Sequence, residues 1–416
     1  MTVANAIYAL VAILCAGLIS FAMTPVVRVL AFKIGAIDIP LDQRRMHKKP
    51  IPRIGGLAIY AGFVAATAIF CEPNPALISI WIGGLVLVVL GMFDDVFRLN
   101  AVLKFLVQIA AAVIAVLNGV VIDNISIGGH YYVFGVWSIP ISVLWIVGLT
   151  NAINLIDGLD GLSCGVSAIC STSILGVVLL MGDTETALIM ALLTAACIGF
   201  MPFNKNPAKI FMGDTGALFL GYTLAVMSVH GVFKIHTVVS FLVPMAIFAL
   251  PLLDTTIAII RRLLSGRSPF SPDRGHLHHK LIDMGFTQKN AVRILYAICA
   301  LLGLVAIVFT DAMFNTSRLF KALIVFIIAI CVFILNYIIL KSPALRVHTG
   351  LFDDEPLPAV PANADGEKNG ADKLSEADMT GESGVSADAP ACADAHGENA
   401  EMTADGTEIS GDSSNG

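Results

Sequence analysis

The chain has 416 residues, of which 57% are hydrophobic and 13% are charged, and its mean hydropathy is +0.84. This composition excludes an ordinary soluble globular protein and predicts many spans in a lipid bilayer. The net charge of −6 is uneven, because residues 1–349 hold 23 Lys and Arg against 15 Asp and Glu, whereas residues 350–416 hold 2 against 16. We therefore expect the basic body to meet anionic lipids and substrates, and we expect no nucleic-acid partner.

Apolar stretches recur along the body at lengths close to the roughly 20 residues that cross a bilayer as a helix. We expect eleven such helices and therefore an all-α, polytopic transmembrane bundle. An odd number of spans places the two ends of the chain on opposite sides of the membrane. The stretches cover residues 6–31, 54–71, 76–93, 102–122, 136–150, 162–181, 186–202, 215–230, 237–260, 291–310 and 319–340.

Lys and Arg are divided unequally between the two sets of alternating loops. One set holds 16 of them, and the other holds only Lys234, Arg318 and Lys321. Because basic loops stay on the cytoplasmic side, we predict a multi-pass protein of the plasma membrane with its N-terminus outside and its C-terminus in the cytoplasm. Most polar motifs fall in the basic set of loops, so the functional site should face the cytoplasm.

The chain changes character near residue 350. Residues 1–349 form the predicted transmembrane domain, whereas residues 350–416 are rich in Ala, Asp, Glu, Gly and Ser. Such a segment cannot bury enough apolar surface to offset the entropy lost on ordering. We predict a disordered acidic cytoplasmic tail, which is either solvated filler or a regulatory segment.

Two adjacent carboxylates, Asp94 and Asp95, end the third apolar stretch. At a membrane boundary they repel each other unless a divalent ion or a basic side chain compensates them. Lys104, at the start of the next stretch, is placed to return a positive charge to this point. The alternatives are a helix end paired with Arg98 for the carboxylates, and an ordinary helix-end lysine for Lys104.

The sequence NAINLIDGLDG places Asn151, Asn154, Asp157 and Asp160 three residues apart. On a helix this spacing lines one face with oxygen-bearing groups, which suit Mg²⁺, Mn²⁺ and polar ligands. We expect this strip to bind a ligand. A polar strip that packs two helices together is the alternative.

The segment NKNPAKIFMGDTG places Asp214 at the expected N-terminus of the eighth helix. A carboxylate at this position can cap the helix or bind a cation. Phe211, three residues earlier, is either part of the core or an aromatic surface for a nucleobase.

The last large inner loop, RRLLSGRSPFSPDRGHLHHKL, combines Arg274 with His276, His278 and His279. This density of cations and histidines favours binding of an anion such as a diphosphate. The histidine spacing also admits zinc, although the carboxylates elsewhere favour a hard ion.

Asp254 is a carboxylate inside the ninth apolar stretch, near its inner end. It is either a functional group or the partner of Arg261 and Arg262, which follow two turns later. Carboxylates for Mg²⁺, a cation-rich loop and a membrane scaffold together indicate phosphoryl transfer with one substrate in the lipid phase. A secondary transporter is the rival interpretation, but the polar clusters lie toward one face and no broken helix recurs in two halves of the chain.

Five stretches, KPIPRIGG, GMFDD, NAINLIDGLDG, FMGDTG and PDRGHLHHKL, resemble the polyprenyl-phosphate N-acetylhexosamine-1-phosphate transferases in sequence and order, over about residues 1–340. The resemblance implies transfer of N-acetylhexosamine-1-phosphate from a UDP-sugar to undecaprenyl phosphate, with release of UMP. The motif HLHH, from His276 to His279, resembles the bacterial branch that transfers GlcNAc-1-phosphate and starts cell-envelope glycans. The branch that transfers phospho-N-acetylmuramoyl-pentapeptide, which is the alternative, has three consecutive histidines, and Leu277 breaks that pattern.

The resemblance also implies roles in catalysis and metal binding. Asp214 and Asn154 would contact Mg²⁺, with Mn²⁺ as the alternative ion. Asp94 and Asp95 would lie at the lipid phosphate, and Lys104 would reach phosphate oxygens. The implied partners are a UDP-N-acetylhexosamine, undecaprenyl phosphate and membrane lipid, and a homodimer is left open.

The remaining residues carried over from the resemblance would bind substrate. Phe211 and Asp157 would hold the uridine, and Asp160 would shape the same pocket. Lys49 would contact phosphate oxygens, on a looser match because Lys48 is adjacent and Arg53 stands where a smaller residue is expected. The diphosphate or the sugar would be held by Arg274, His276, His278 and His279.

Overall fold

A computed structural model describes residues 3–39, 50–127, 130–233, 239–266, 268 and 275–314. Within these residues the chain forms twelve α-helices. They are α1 (Val3–Ile34), α2 (Gly56–Phe70), α3 (Pro75–Phe97), α4 (Ala101–Leu117), α5 (Ser138–Leu155), α6 (Leu162–Leu180), α7 (Thr184–Asn204), α8 (Gly213–Ser228), α9 (Val239–Ile247), α10 (Ala249–Leu264), α11 (Leu277–Asp283) and α12 (Gln288–Phe314). The described residues all belong to one compact unit, Met1–Asp353.

The helices confirm an all-α membrane architecture. Seven described helices are long and apolar enough to cross a bilayer, and the bent pair α9 and α10 makes an eighth candidate. The shorter α2 and α4 are also apolar and coincide with predicted stretches. The eleventh stretch, 319–340, and the tail beyond residue 350 lie outside the described residues, so the total of eleven spans, the sidedness and the domain boundary stay predictions.

The ninth apolar stretch, 237–260, is not the single continuous helix that its hydropathy suggested. The chain bends by 80° between α9 and α10. Pro251 explains the break, because it has no N–H to donate to the carbonyl of Ile247, where α9 ends, and its ring would clash with that carbonyl. The Cys170 thiol contacts this carbonyl oxygen at 3.5 Å.

Two small antiparallel hairpins accompany the helices, and the sequence did not predict them. Strand β1 (Ile37–Asp38) pairs with β2 (Ile51–Pro52), and β3 (Asn124–Ile127) pairs with β4 (His130–Val133). In the fourth apolar stretch, predicted over residues 102–122, the helix α4 ends earlier, at Leu117. Gly119, with φ of +81°, follows α4 in the left-handed conformation that commonly ends a helix.

Helix α8 lies at the centre of the bundle, and all of its residues except Asp214 are buried. It packs against α2, α3, α5 and α6. Gly91 on α3 allows a close approach, because a Cβ atom there would lie 2.4 Å from the Thr215 Cα of α8. This approach brings the last turn of α3, with its two carboxylates, against the N-terminus of α8.

Candidate active site

A lysine joins two carboxylates from different helices at the N-terminal end of α8. Lys104 Nζ, on α4, lies 3.0 Å from Asp94 Oδ2 on α3 and 2.8 Å from Asp214 Oδ2 on α8. Asn154, near the end of α5, places its Nδ2 3.4 Å from the same Asp214 oxygen. Four helices therefore each contribute one polar group to a single cluster. The contact of Lys104 with Asp94 agrees with the prediction that this lysine returns a positive charge to the end of α3.

The adjacent carboxylates Asp94 and Asp95 point to different partners, which relieves their repulsion. Asp95 is buried and accepts hydrogen bonds from the backbone N–H groups of Asp214 and Thr215, both at 3.2 Å. It also accepts one from the Thr215 hydroxyl at 2.8 Å. Asp95 therefore satisfies the free amides at the start of α8, where negative charge is favoured by the helix dipole.

The polar residues of NAINLIDGLDG do not form one helical strip, because α5 ends at Leu155 and a turn follows. Asn151 is still on the helix, where its amide donates to Gln108 and, at 2.8 Å, to the carbonyl of Val147. Asn154 reaches Asp214, whereas Asp157 and Asp160 lie on the turn. The expectation of a single helical face is therefore wrong, because the glycines of this segment allow the chain to turn.

The two carboxylates of the turn have different surroundings. Removal from water raises the pKa of Asp157 to about 8, and the negative charges of Asp214 and Asp95 add to the increase. Asp160 instead accepts hydrogen bonds from the Asn206 amide at 2.8 Å and from the Ala208 N–H at 3.0 Å. Asp160 thus fixes the loop that precedes Phe211.

Phe211 is held through its backbone by β2 and the residues that follow it. Its N–H donates to the carbonyl of Pro52 at 2.8 Å, and its carbonyl accepts from the N–H of Gly55 at 2.9 Å. The ring is partly buried and lines a cleft rather than the sealed core. This placement puts an aromatic side chain in the lining of the cleft.

The three histidines occupy three distinct environments. His276 Nδ1 lies 3.0 Å from Asp254 Oδ2, so Asp254 pairs with a histidine. His278 is 2% exposed, and neither of its ring nitrogens has a hydrogen-bond partner within the described residues. Burial lowers the pKa of His278 to about 3, with the neighbouring His279 as the next cause, so this ring is neutral at physiological pH.

The ring of His278 packs directly on the turn that carries Asp157. A Cβ atom on Gly158 would lie 2.2 Å from His278 Nε2, so only glycine allows this contact. His279 is 4.2 Å from His278 by ring centroids and lines the cleft. The histidine helix α11 and the turn after α5 therefore form one wall.

A cleft of about 1030 Å³ opens beside these groups. Six of the residues proposed from the sequence line it, namely Asn154, Asp157, Asp160, Phe211, Asp214 and His279. Six others lie outside this lining, namely Asp94, Asp95, Lys104, Asn151, His276 and His278. Lys49 and Arg274 lie outside the described residues, and their roles stay predictions.

Several residues of the cleft carried no clear sequence signal. They include Arg28, Arg53, Asn206 and Gln288. Asn206 and Gln288 share a hydrogen bond of 2.7 Å although 82 residues separate them. Arg53 and Asn206 lay in stretches that the sequence singled out, but Arg53 was noted there only as a departure from the expected residue and Asn206 was given no role.

Comparison with known proteins identifies the group to which this chain belongs. The glycosyl transferase family 4 profile matches residues 77–232. A Bacillus subtilis (strain 168) protein named "Probable undecaprenyl-phosphate N-acetylglucosaminyl 1-phosphate transferase" is 42% identical over 296 residues, covering 70% of this chain and 82% of the relative. The chain belongs to glycosyl transferase family 4.

Other relatives of this transferase carry related names. A Mycolicibacterium smegmatis protein named decaprenyl-phosphate N-acetylglucosaminephosphotransferase is 37% identical over 316 residues, covering 68% of this chain and 77% of the relative. A Salmonella typhi protein named undecaprenyl-phosphate alpha-N-acetylglucosaminyl 1-phosphate transferase is 33% identical over 292 residues, covering 66% and 77%. The transferase is thus a multi-pass membrane enzyme of the bacterial branch that the HLHH motif indicated.

Proposed function

We propose that this transferase moves N-acetylglucosamine-1-phosphate from UDP-N-acetylglucosamine to undecaprenyl phosphate and releases UMP. The observation that carries the proposal is the Lys104, Asp94 and Asp214 cluster at the edge of a cleft that contains Phe211. Family membership supports a phosphoglycosyl transfer over a transporter, and the names of the relatives support a polyprenyl phosphate acceptor. The choice of UDP-N-acetylglucosamine as donor and the cytoplasmic position of the site belong to this proposal.

The cleft has the properties that a nucleotide sugar requires. Its volume of about 1030 Å³ is at the upper end of typical ligand pockets. Phe211 gives the lining of the cleft an aromatic side chain, which suits a uracil base, and Asp157 in the same lining is mostly protonated at neutral pH, so it can donate as well as accept a hydrogen bond. We assign the uridine to the space between these two residues, with the diphosphate toward Asp214.

The acceptor lipid requires apolar surface that leads away from the cluster. A second cavity, of about 290 Å³, is lined almost wholly by apolar side chains of α5, α9 and α10 and by residues near β3. The outer face of α10 exposes Leu253, Ile260, Leu263 and Leu264, which suits contact with lipid chains. We assign part of the polyprenyl chain to the cavity between α5 and α10. A homodimer stays a prediction.

The residues of the cluster fit a hard divalent ion such as Mg²⁺, or Mn²⁺ as the alternative. Lys104 Nζ already bridges Asp94 and Asp214, so these oxygens are arranged around a positive charge. Within the described part of the chain, no three or more His, Cys, Asp or Glu side chains are grouped to hold a metal. Few protein ligands are typical of Mg²⁺, which completes its shell with water and substrate phosphates. Asp214 and Asn154 would hold the ion.

The proposed reaction is one displacement at the β-phosphorus of the donor. An oxygen of the lipid phosphate forms a bond to this phosphorus, the bond to the bridging oxygen breaks, and UMP leaves with that oxygen. Asp94 would accept the proton of any monoanionic lipid phosphate, and Lys104 would neutralise charge on the phosphate oxygens. When bound, Mg²⁺ would draw charge from the diphosphate as UMP leaves.

The decisive experiment uses the purified full-length chain, undecaprenyl phosphate and a panel of UDP-sugars, with UMP release as the readout. We expect UDP-N-acetylglucosamine to be the preferred donor and UDP-N-acetylmuramoyl-pentapeptide to be inactive. Asp214→Asn should abolish turnover and weaken Mg²⁺-dependent UDP binding measured by calorimetry. Absence of UMP release with every donor, in protein that is folded, would refute the proposal.

A further inference from the structure

Arg53 occupies an unusual position for a basic residue in the cleft of this transferase. It follows β2 directly, and its N–H donates to the carbonyl of Ala36 at 3.0 Å, so its backbone is fixed. Its side chain lines the same cleft as Phe211 and Asp214. Local structure therefore aims a guanidinium at the point where the donor diphosphate is assigned.

The guanidinium of Arg53 has two carboxylate neighbours at long range. Its Nε lies 3.6 Å from Asp95 Oδ1, and an Nη atom lies 3.9 Å from Asp38 Oδ1. Both distances exceed ordinary hydrogen-bond length. In the part of the chain that the structure describes, the donors of Arg53 are thus oriented by charge and remain available for a closer acceptor.

Asp95 is the nearer of these two carboxylates, and the start of α8 already donates three hydrogen bonds to it. One oxygen accepts from the N–H of Asp214, and the other accepts from the N–H and hydroxyl of Thr215. The α8 N-terminus thus compensates much of the charge of Asp95. Arg53 therefore faces a carboxylate whose charge is already partly compensated, and its guanidinium makes only long contacts of 3.6 Å and 3.9 Å with Asp95 and Asp38.

The charge of the cleft favours such a residue. Four carboxylates line it, from Asp38, Asp160, Asp214 and Asp283, and the carboxyl group of Asp157 adds a fifth that is mostly protonated at neutral pH. Among the described lining residues the Lys and Arg side chains are Arg28, Arg53 and Lys209, and both Arg28 and Lys209 are exposed. Lys104 is engaged by two carboxylates. A diphosphate placed beside Asp214 would be repelled by these carboxylates, and a cation on the wall of the cleft would add to the compensation that a bound Mg²⁺ would give.

We infer that Arg53 is a substrate-binding residue whose guanidinium contacts a substrate phosphate beside Asp214. The guanidinium fork matches two phosphate oxygens, a geometry that lysine cannot reproduce. The inference rests on the proposed function. It adds a phosphate contact from the residue that follows the β1–β2 hairpin, which the family resemblance marked only as a departure from the expected residue. The phosphate belongs either to the donor diphosphate or to the lipid acceptor.

The test compares ligands with and without phosphate in the full-length chain. Arg53→Gln should weaken binding of UDP by about 10-fold to 100-fold while uridine binding changes less than about 2-fold. Arg53→Lys should recover part of the UDP affinity, because it keeps the charge but loses the fork. Arg293→Gln, which removes an exposed guanidinium on α12 outside the cleft, is the matched control and should leave both affinities unchanged.

The acceptor arm measures the KM for undecaprenyl phosphate in the same variants. A rise in this KM with unchanged UDP affinity would support the contact and assign it to the lipid phosphate. Equal losses for uridine and UDP in both Arg53 variants, or no change in any affinity or KM, would overturn the inference. When the unaltered protein releases UMP and binds UDP, such an outcome in the variants refutes only the role of Arg53. When the unaltered protein neither releases UMP nor binds UDP, the proposed function fails as well.

Discussion

Lys104 and Asp214 are 110 residues apart in the sequence, yet Lys104 Nζ lies 2.8 Å from Asp214 Oδ2. The contact joins the start of α4 to the start of α8. Because Lys104 also contacts Asp94 at 3.0 Å, one ammonium group joins the end of α3 to the starts of α4 and α8. This arrangement places a positive charge between the carboxylates assigned to the lipid phosphate and to the metal.

We first predict the effect of removing this charge. Lys104→Gln should lower turnover by about 10²-fold to 10³-fold, a loss typical of one preorganised electrostatic group. UDP binding should change only a few-fold, because Phe211 and the turn after α5 remain. UMP release and calorimetry measure the two effects. The control is Lys205→Gln, an exposed cation on the α7–α8 loop, and equal losses in both variants would contradict a specific role for Lys104.

The second prediction separates Asp94 from Asp95 by pH. A phosphate monoester has a second pKa of about 6, so a base is needed only for the protonated fraction. Asp94→Asn should therefore lose much of its rate at pH 6 and recover in part toward pH 8. Asp95→Asn should be impaired at every pH, because it weakens the cap of α8. The measurement is the pH profile of UMP release with the unaltered protein alongside. A pH-independent defect in Asp94→Asn would exclude the base role.

The third prediction concerns stability and Asp157. Its pKa is about 8 in the folded protein and near 3.8 in the unfolded chain, so between these values the folded state holds more protons. The contribution of this group to stability therefore falls as the pH rises toward 8. Asp157→Asn removes the effect and should raise the melting temperature by a few degrees more at pH 8.5 than at pH 5.5. Tryptophan fluorescence during heating measures this difference.

Asp123→Asn serves as the control for that measurement, because Asp123 is exposed on the segment before β3. Its effect on the melting temperature should be the same at both pH values. If Asp157→Asn behaved identically to Asp123→Asn, the carboxyl group of Asp157 would not carry the raised pKa.

The fourth prediction is that Asp254 acts through His276. Asp254 accepts from the Leu277 N–H at 2.8 Å and contacts His276 Nδ1 at 3.0 Å, so one carboxylate fixes the start of α11. Asp254→Asn and His276→Asn should each raise the KM for the UDP-sugar more than they lower kcat. The double variant should be no worse than the poorer single one, with a coupling of about 0.5–3 kcal/mol in kcat/KM. Additive losses would show that the two side chains act independently.

The fifth prediction addresses sidedness. In a chain whose native cysteines have been replaced, Lys289→Cys near the histidine helix should react with a membrane-impermeant maleimide only after the cells are opened. Thr184→Cys, at the first residue of α7, should react in intact cells. Both positions are exposed, so accessibility within the protein does not limit labelling. Reversed labelling would place the active site outside the cytoplasm.

The positions of the helices follow closely from hydropathy, because each apolar stretch must satisfy its backbone hydrogen bonds within the bilayer. Ten of the predicted stretches fall on described helices or on the bent pair α9 and α10. Hydropathy did not predict that bend, because Pro251 and its neighbours remain apolar whether the helix is straight or broken. It also did not show where α4 ends, because residues 120–122 are apolar outside the helix.

The chemical type of the site also follows from the sequence. Asp, Asn and His side chains cost free energy in apolar surroundings, so their presence there indicates a functional site. Their spacing did not determine which of them meet. Asn151 and Asn154 are one turn apart, yet one pairs with Gln108 and the other with Asp214. Only the close packing of α3 on α8 at Gly91 directs Asp95 to the helix amides. The different partners of Asp94 and Asp95 and the long contacts of Arg53 with Asp38 and Asp95 arise from tertiary contacts between distant segments, which a linear pattern of residues does not contain.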